Sequence, residues 1–175
     1  MISTLFERLK EANAEISDIY YSGFNWIFEA SKIIKKTITQ VGRERGYFVC
    51  THSVEEADSG EWLFDISFHE LEYEGAFTKT LCTPLVVESE FSKTDFGGFK
   101  EDFDKLLIAT SSERLFILRV TNQSVFDTIK KYAQDSVNKY KPFKTGERVH
   151  IIYWDETVPK KDFYYLEIKK QEFVS

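Results

Sequence analysis

The stretch Pro84-Leu-Val-Val-Glu-Ser-Glu-Phe-Ser-Lys93 begins as a buried β-strand and ends with two carboxylates on one side. Side chains in a strand alternate between faces, so Glu88 and Glu90 point one way while Val87, Ser89 and Phe91 point the other. That side is either water or a functional site. What the neighbouring segments bring to it decides between them.

Upstream, Tyr47-Phe-Val-Cys-Thr-His52 reads as a short strand, and Glu61-Trp-Leu-Phe-Asp-Ile-Ser-Phe68 as a second with large apolar residues at alternate positions. A turn near Glu74-Gly75 returns the chain toward Leu85–Phe91, which makes these three strands an antiparallel meander. Downstream, Phe99, Phe103, Leu106, Leu107 and Thr110 mark a helix face, followed by the apolar strand Arg114–Val120. A helix over Asn122–Tyr140 and strands over Arg148–Trp154 and Phe163–Ile168 close the chain. At the N-terminus, Thr4-Leu-Phe-Glu7 has the pattern of a capping box and predicts a helix to about Ser17. Ile27, Ala30, Ile34, Ile38 and Val41 then recur at three- and four-residue spacing, predicting a longer amphipathic helix over Asn25–Arg45 that stops at Gly46. Helix, helix, three strands, helix, strand, helix and two strands imply an α+β domain with a mixed central sheet covered by helices.

With 175 residues, of which 42% are hydrophobic and 16% aromatic, the chain suits one well-filled core. Two cysteines, Cys50 and Cys82, are too few for a disulfide framework, and no apolar export segment follows Met1, so a cytoplasmic location is expected. Charges interrupt every apolar run well short of the roughly 18 residues of a membrane span. The net charge of −6 is unevenly spread. Residues 50 to 104 carry fourteen Asp/Glu against three Lys, whereas residues 128 to 175 carry ten Lys/Arg against seven Asp/Glu. An acidic cluster repels a polyanion unless metal ions neutralise it, and the basic C-terminal third is the natural phosphate-facing surface.

Asp is depleted in strands because its short side chain competes for backbone hydrogen bonds, yet Asp65 stands between Phe64 and Ile66. Glu88 and Glu90 occupy the next strand. Three carboxylates converging from two strands are tolerated with a cation between them or with a raised pKa, and a hard, oxygen-preferring ion such as Mg²⁺ or Mn²⁺ fits that need. A tight hairpin at Glu74-Gly75 would pair Glu61 with Glu88 and leave Asp65 near Pro84, so Asp65 meets Glu88 only with a longer loop or a bulge. Glu61, on the same face, is the reserve ligand.

Asp65, the Glu88-Ser-Glu90 motif 23 residues later, the helix containing Phe103-Asp-Lys-Leu-Leu107 and the strand Leu115–Leu118 together resemble the PD-(D/E)XK nuclease superfamily. The resemblance spans about residues 25–155 and implies a restriction-endonuclease-like fold. It divides a single domain over 1–175 into an N-terminal helix and connection (1–24), a nuclease-like core (25–155) and a C-terminal strand segment (156–175). It further implies Mg²⁺- or Mn²⁺-dependent phosphodiester hydrolysis of nucleic acid, DNA in the first instance. Asp65 and Glu88 would be metal ligands and Glu90 an accessory ligand or base. Glu90 stands where the family usually has Lys. Lys105, on the following helix, is the candidate substitute, with Lys93 behind it. Glu29 resembles the acidic residue that many members bring from the first core helix. A chain this small would act as a homodimer to cut both strands of a duplex at once.

Two other functions fit the same residues: a non-catalytic nucleic-acid-binding module on this fold, using basic residues such as Lys130, Lys131, Lys139 and Lys141, and a protein-binding domain with an acidic surface. Cys50-Thr-His52 has too few partners for zinc, and His69 and His150 read as packing or surface groups. Trp26, Trp62 and Trp154 read as core or near-core residues. The sequence has no nucleophile elbow, phosphate-binding glycine loop or dinucleotide fingerprint.

Overall fold

In a computed structural model that describes residues 1–171, the chain forms helices α1 (Ile2–Ser22) and α2 (Trp26–Glu44) and strands β1 (Phe48–Thr51), β2 (Ile66–Glu74) and β3 (Phe77–Glu90). After these come α3 (Phe96–Ile108), β4 (Glu113–Val120), α4 (Gln123–Lys139), β5 (Arg148–Asp155) and β6 (Asp162–Lys169). The six strands make one mixed sheet in sequence order. The β1–β2–β3 meander is antiparallel, β3–β4 and β4–β5 are parallel, and β6 returns antiparallel to β5. Parallel neighbours need crossovers, which α3 and α4 supply. The last four residues of the C-terminal segment, 172–175, lie outside the described residues.

The strand pattern explains why both faces of the sheet are covered. Leu115 and Ile117 face one layer and Phe116 and Leu118 the other, so the middle of β4, Leu115–Leu118, is apolar at every position, as a run buried on both sides must be. On one face Leu85, Val87, Leu115, Ile117 and Trp154 meet Leu5, Leu9 and Ile16 of α1 and Ala30, Ile34 and Ile38 of α2. On the other, Val86, Phe116, Leu118 and Ile151 meet Phe99, Phe103 and Leu106 of α3 and Phe126, Ile129 and Ala133 of α4. Even-numbered residues of this part of β3 belong to the α3/α4 face. Glu88 is therefore aimed at α3.

Four expectations are corrected. The capping box at Thr4 does not form: α1 begins at Ile2, and the Thr4 hydroxyl accepts from Arg45 Nη2 at 2.9 Å. The helix also runs on to Ser22, ending where Gly23 takes a left-handed conformation with φ 77°. The second strand starts at Ile66 rather than at Glu61, and Trp62 is 70% exposed rather than near the core. The cause is a missing neighbour. β1 ends at Thr51, opposite Ile66, and the chain then turns away through Ser53, so residues 61–65 have no β1 ladder to join.

The β2–β3 hairpin turns at Gly75-Ala76, with Glu74 opposite Phe77. An unbroken ladder from there would put Asp65 opposite Val86. Two irregularities intervene, one between Leu71/Thr80 and Glu70/Cys82 and one between Glu70/Cys82 and Phe68/Leu85, each adding one residue on the β3 side. Past them Ile66 pairs with Val87, which brings Asp65, just before β2, beside Glu88 and Ser89 of β3.

Candidate functional site

The site lies where β2 begins and β3 nears its end. Glu88 is only 3% exposed, and its Oε1 has no hydrogen-bond partner among the described residues. Lys105 Nζ, from α3, stands 3.7 Å from that oxygen but donates to Asp102 Oδ1 at 2.6 Å. Burial, reinforced by the nearby Asp65, Asp102 and Glu61 and opposed by Lys105, pushes the Glu88 carboxyl up to about 8. The Lys105 ammonium is held above its ordinary value, chiefly by its hydrogen bond to Asp102 and also by Glu88.

Asp65 occupies the bend just before β2, where a short polar side chain can reach backbone donors. Its Oδ2 accepts from the Ser89 backbone N–H at 2.8 Å, which ties it across to β3 beside Glu88. Its Oδ1 accepts from Lys35 Nζ at 3.1 Å, and Glu61 lies 3.7 Å from the same ammonium. Thr51 Oγ1 donates to the Asp65 carbonyl at 2.8 Å, fixing the bend from the β1 side. Each acid thus has a lysine beside it, Lys35 of α2 for Asp65 and Lys105 of α3 for Glu88.

Glu90 is engaged elsewhere. Its Oε1 accepts from Ser92 Oγ at 2.7 Å and from the Lys93 N–H at 2.9 Å, while Lys93 Nζ is 3.9 Å from Oε2. It closes the turn that leads into α3, whose N-cap Asp95 accepts from the Gly98 N–H at 3.0 Å. Glu29 lies against the loop after β1, lining a cavity of about 240 Å³ with Lys32, Lys36 and residues 53–56. Among the described residues no three His, Cys, Asp or Glu side chains form a metal-ligand cluster.

A two-carboxylate site nevertheless suits Mg²⁺ or Mn²⁺. Mg²⁺ is commonly held by one or two carboxylates, with water and phosphate oxygens completing the shell. Asp65 and Glu88 supply hard oxygen donors, and Glu88 Oε1 is a buried oxygen with no hydrogen-bond partner among the described residues.

Lys35 and the Ser89 N–H were not singled out in the sequence. Lys35 sits one turn before Thr39, which is fully buried, so it borders the apolar stripe of α2. That position on the helical wheel is the only signal it carried. Of the basic residues named for α4, Lys130 pairs with Asp127 at 2.8 Å and Lys139 with Asp135 at 2.9 Å, so part of that charge is locally neutralised. His150 is a buried, fully bonded core group, its ring nitrogens 2.7 Å from Tyr165 Oη and 2.8 Å from Glu113 Oε2.

No family model, curated protein sequence or solved structure matches the chain. No helix among the described residues is long and apolar enough to cross a membrane.

Proposed function

We propose that this chain is a restriction-endonuclease-like protein that hydrolyses phosphodiester bonds in DNA with Mg²⁺ or Mn²⁺ held between Asp65 and Glu88. The observation that carries the reading is the buried, orphaned Glu88 oxygen next to Asp65, on a strand order of helix, meander, helix and strand that agrees with the resemblance. A bound ion would polarise the scissile phosphate and make a water acidic enough to attack.

The protein's own groups have separate tasks. Asp65 and Glu88 would hold the ion. The Ser89 N–H fixes Asp65 Oδ2, leaving Oδ1 to exchange its Lys35 contact for the ion. Lys105 takes the place of the missing motif lysine, a cation beside Glu88 that can turn from Asp102 toward a phosphate oxygen. Glu90 positions the β3–α3 turn. Cutting both strands of a duplex at once would take two copies of the chain. Cys50 and Cys82, both unpaired, suit the reducing cytoplasm.

One observation favours a second reading. A lysine already stands beside each acid, Lys35 bonded to Asp65 and Lys105 3.7 Å from Glu88, as a domain that binds nucleic acid without cutting it would allow. Incubation with single-stranded, duplex and branched DNA at low salt, with Mg²⁺ or Mn²⁺, separates the two. The enzyme cleaves at least one of them and Glu88→Gln loses several orders of magnitude in rate. The binding module cuts none, and its affinity falls steeply with salt.

A further inference from the structure

Next to the carboxylates, the start of α2 forms a cavity of about 470 Å³ whose lining includes Asn25, Trp26, Phe28, Ser31 and Ser92. Two of these residues connect it to the candidate site. Ser31 is one helical turn, about 6 Å along the axis, from Lys35, which holds Asp65. Ser92 donates to Glu90, two residues beyond Glu88.

The wall is aromatic and small-polar, and the cations lie at its margin. Phe28 is 57% exposed and neighbouring Phe24 82% exposed, although a soluble domain ordinarily buries such side chains. Lys32 Nζ lies 5.8 Å from the centre of the Phe28 ring. Behind the cavity the Arg119 guanidinium sits 4.9 Å from the centre of the Trp26 ring, and its Nη2 donates to the Ser92 carbonyl at 3.4 Å. Glu156 neutralises one end of this arginine at 3.0 Å, but Nε is buried without a partner. Gly23 and Asn25 hold the α1–α2 connection open with left-handed backbones, φ 77° and 49°.

We infer that this cavity is a nucleobase subsite, in which an unpaired base of a single-stranded or frayed nucleic acid stacks on Phe28 while its backbone passes Lys32 and runs toward Asp65 and Glu88. Stacking rings beside cations are what a strand with exposed bases requires, and a duplex with its bases stacked internally cannot use them. The inference rests on the nuclease reading for its orientation but not for its test. The ligand class it names is single-stranded DNA or RNA, without base identity.

The test is fluorescence anisotropy with the full-length chain in EDTA at low salt, so that no strand is cut. The probes are a short labelled oligodeoxynucleotide and the same strand with abasic positions, which keeps the phosphates and removes the bases. The expected result is about tenfold tighter binding of the base-bearing strand. That preference disappears in Phe28→Ala and is kept in Phe28→Trp; as Phe28 is largely exposed, neither substitution threatens folding. Equal affinity for the two strands overturns the subsite, as does a preference that Phe28→Ala leaves intact, or no binding of either strand. Self-association lost in Phe28→Ala with no base preference also overturns it and assigns the patch to a second copy of the chain. Cleavage of DNA without base preference leaves the nuclease reading standing alone. Base preference without cleavage of any DNA removes the nuclease and keeps the subsite.

Discussion

Replacing Glu88 by Gln should make the protein more stable at neutral and alkaline pH while abolishing the proposed cleavage. The Glu88 carboxyl is pushed from its ordinary 4.5 up to about 8 by burial and by Asp65. Below pH 4.5 the native and unfolded chains both hold its proton, and above about 8 neither does. In between, the native state retains a proton that the unfolded chain has released, so stability is lost as pH rises, by about 1.4 kcal/mol per unit. By pH 7 the loss is about 3 kcal/mol, a large part of the roughly 5–15 kcal/mol that holds a domain together. Glutamine has nearly the same shape and no ionisation to suppress. In EDTA, Glu88→Gln should match the wild type within about 1 kcal/mol near pH 4.5 and exceed it by about 3 kcal/mol at pH 7 and about 4 kcal/mol at pH 8. Urea titrations followed by tryptophan fluorescence, to which the fully buried Trp154 contributes, would show this as a midpoint difference of roughly 1–2 M that opens with pH. Parallel stability curves for the two proteins from pH 5 to 8 would refute the reasoning, because Glu88 would then be titrating as a solvated acid.

Mg²⁺ or Mn²⁺ should raise the melting temperature of the wild type by mass action and should do so less in Asp65→Asn; an equal rise in scanning calorimetry would place the ion elsewhere. Lys105→Ala should lower turnover while the metal-induced melting shift is kept, and an unchanged rate would remove Lys105 from the mechanism. Gly42→Ala, in α2, should destabilise the fold by about 1–3 kcal/mol in urea despite the better helix propensity of alanine. Its Cβ would come within 2.6 Å of Val49 Cγ2 and 2.7 Å of the Phe68 ring, both fully buried; a gain in stability would show that β1 and β2 can shift away.

The apolar stripe of α2, the doubly buried run of β4 and the meander were legible because each is a local periodicity that burial enforces. Residues 61–65 misled for a nonlocal reason. Alternation in Glu61-Trp-Leu-Phe-Asp65 has the strand period, but no partner strand continues past Thr51, and nothing within the segment reveals that. Asp65 stood out because an acid among aromatics conflicts with its neighbours. Its partnership with Glu88 was legible only as a condition, since the tight-turn register missed it and a bulge leaves little mark on composition. Glu90 looked equivalent to Glu88 by alternation alone; the Ser92 hydroxyl and the Lys93 N–H, supplied by the turn into α3, set them apart. Lys35 was hidden because a lysine beside an apolar stripe ordinarily faces water.

The two irregularities in the β2–β3 ladder also separate the tip of the hairpin from its base. They set the alignment of Asp65 with Glu88 on the core side, so the arm beyond them, Leu71–Glu74 with Phe77–Thr80, can lengthen or shorten by whole cross-strand pairs without re-aiming either acid. Tyr73 and Phe77, 72% and 76% exposed, lie on that arm. The outer hairpin is thus an interchangeable part: its sequence and reach can be changed while the register at its root stays the same.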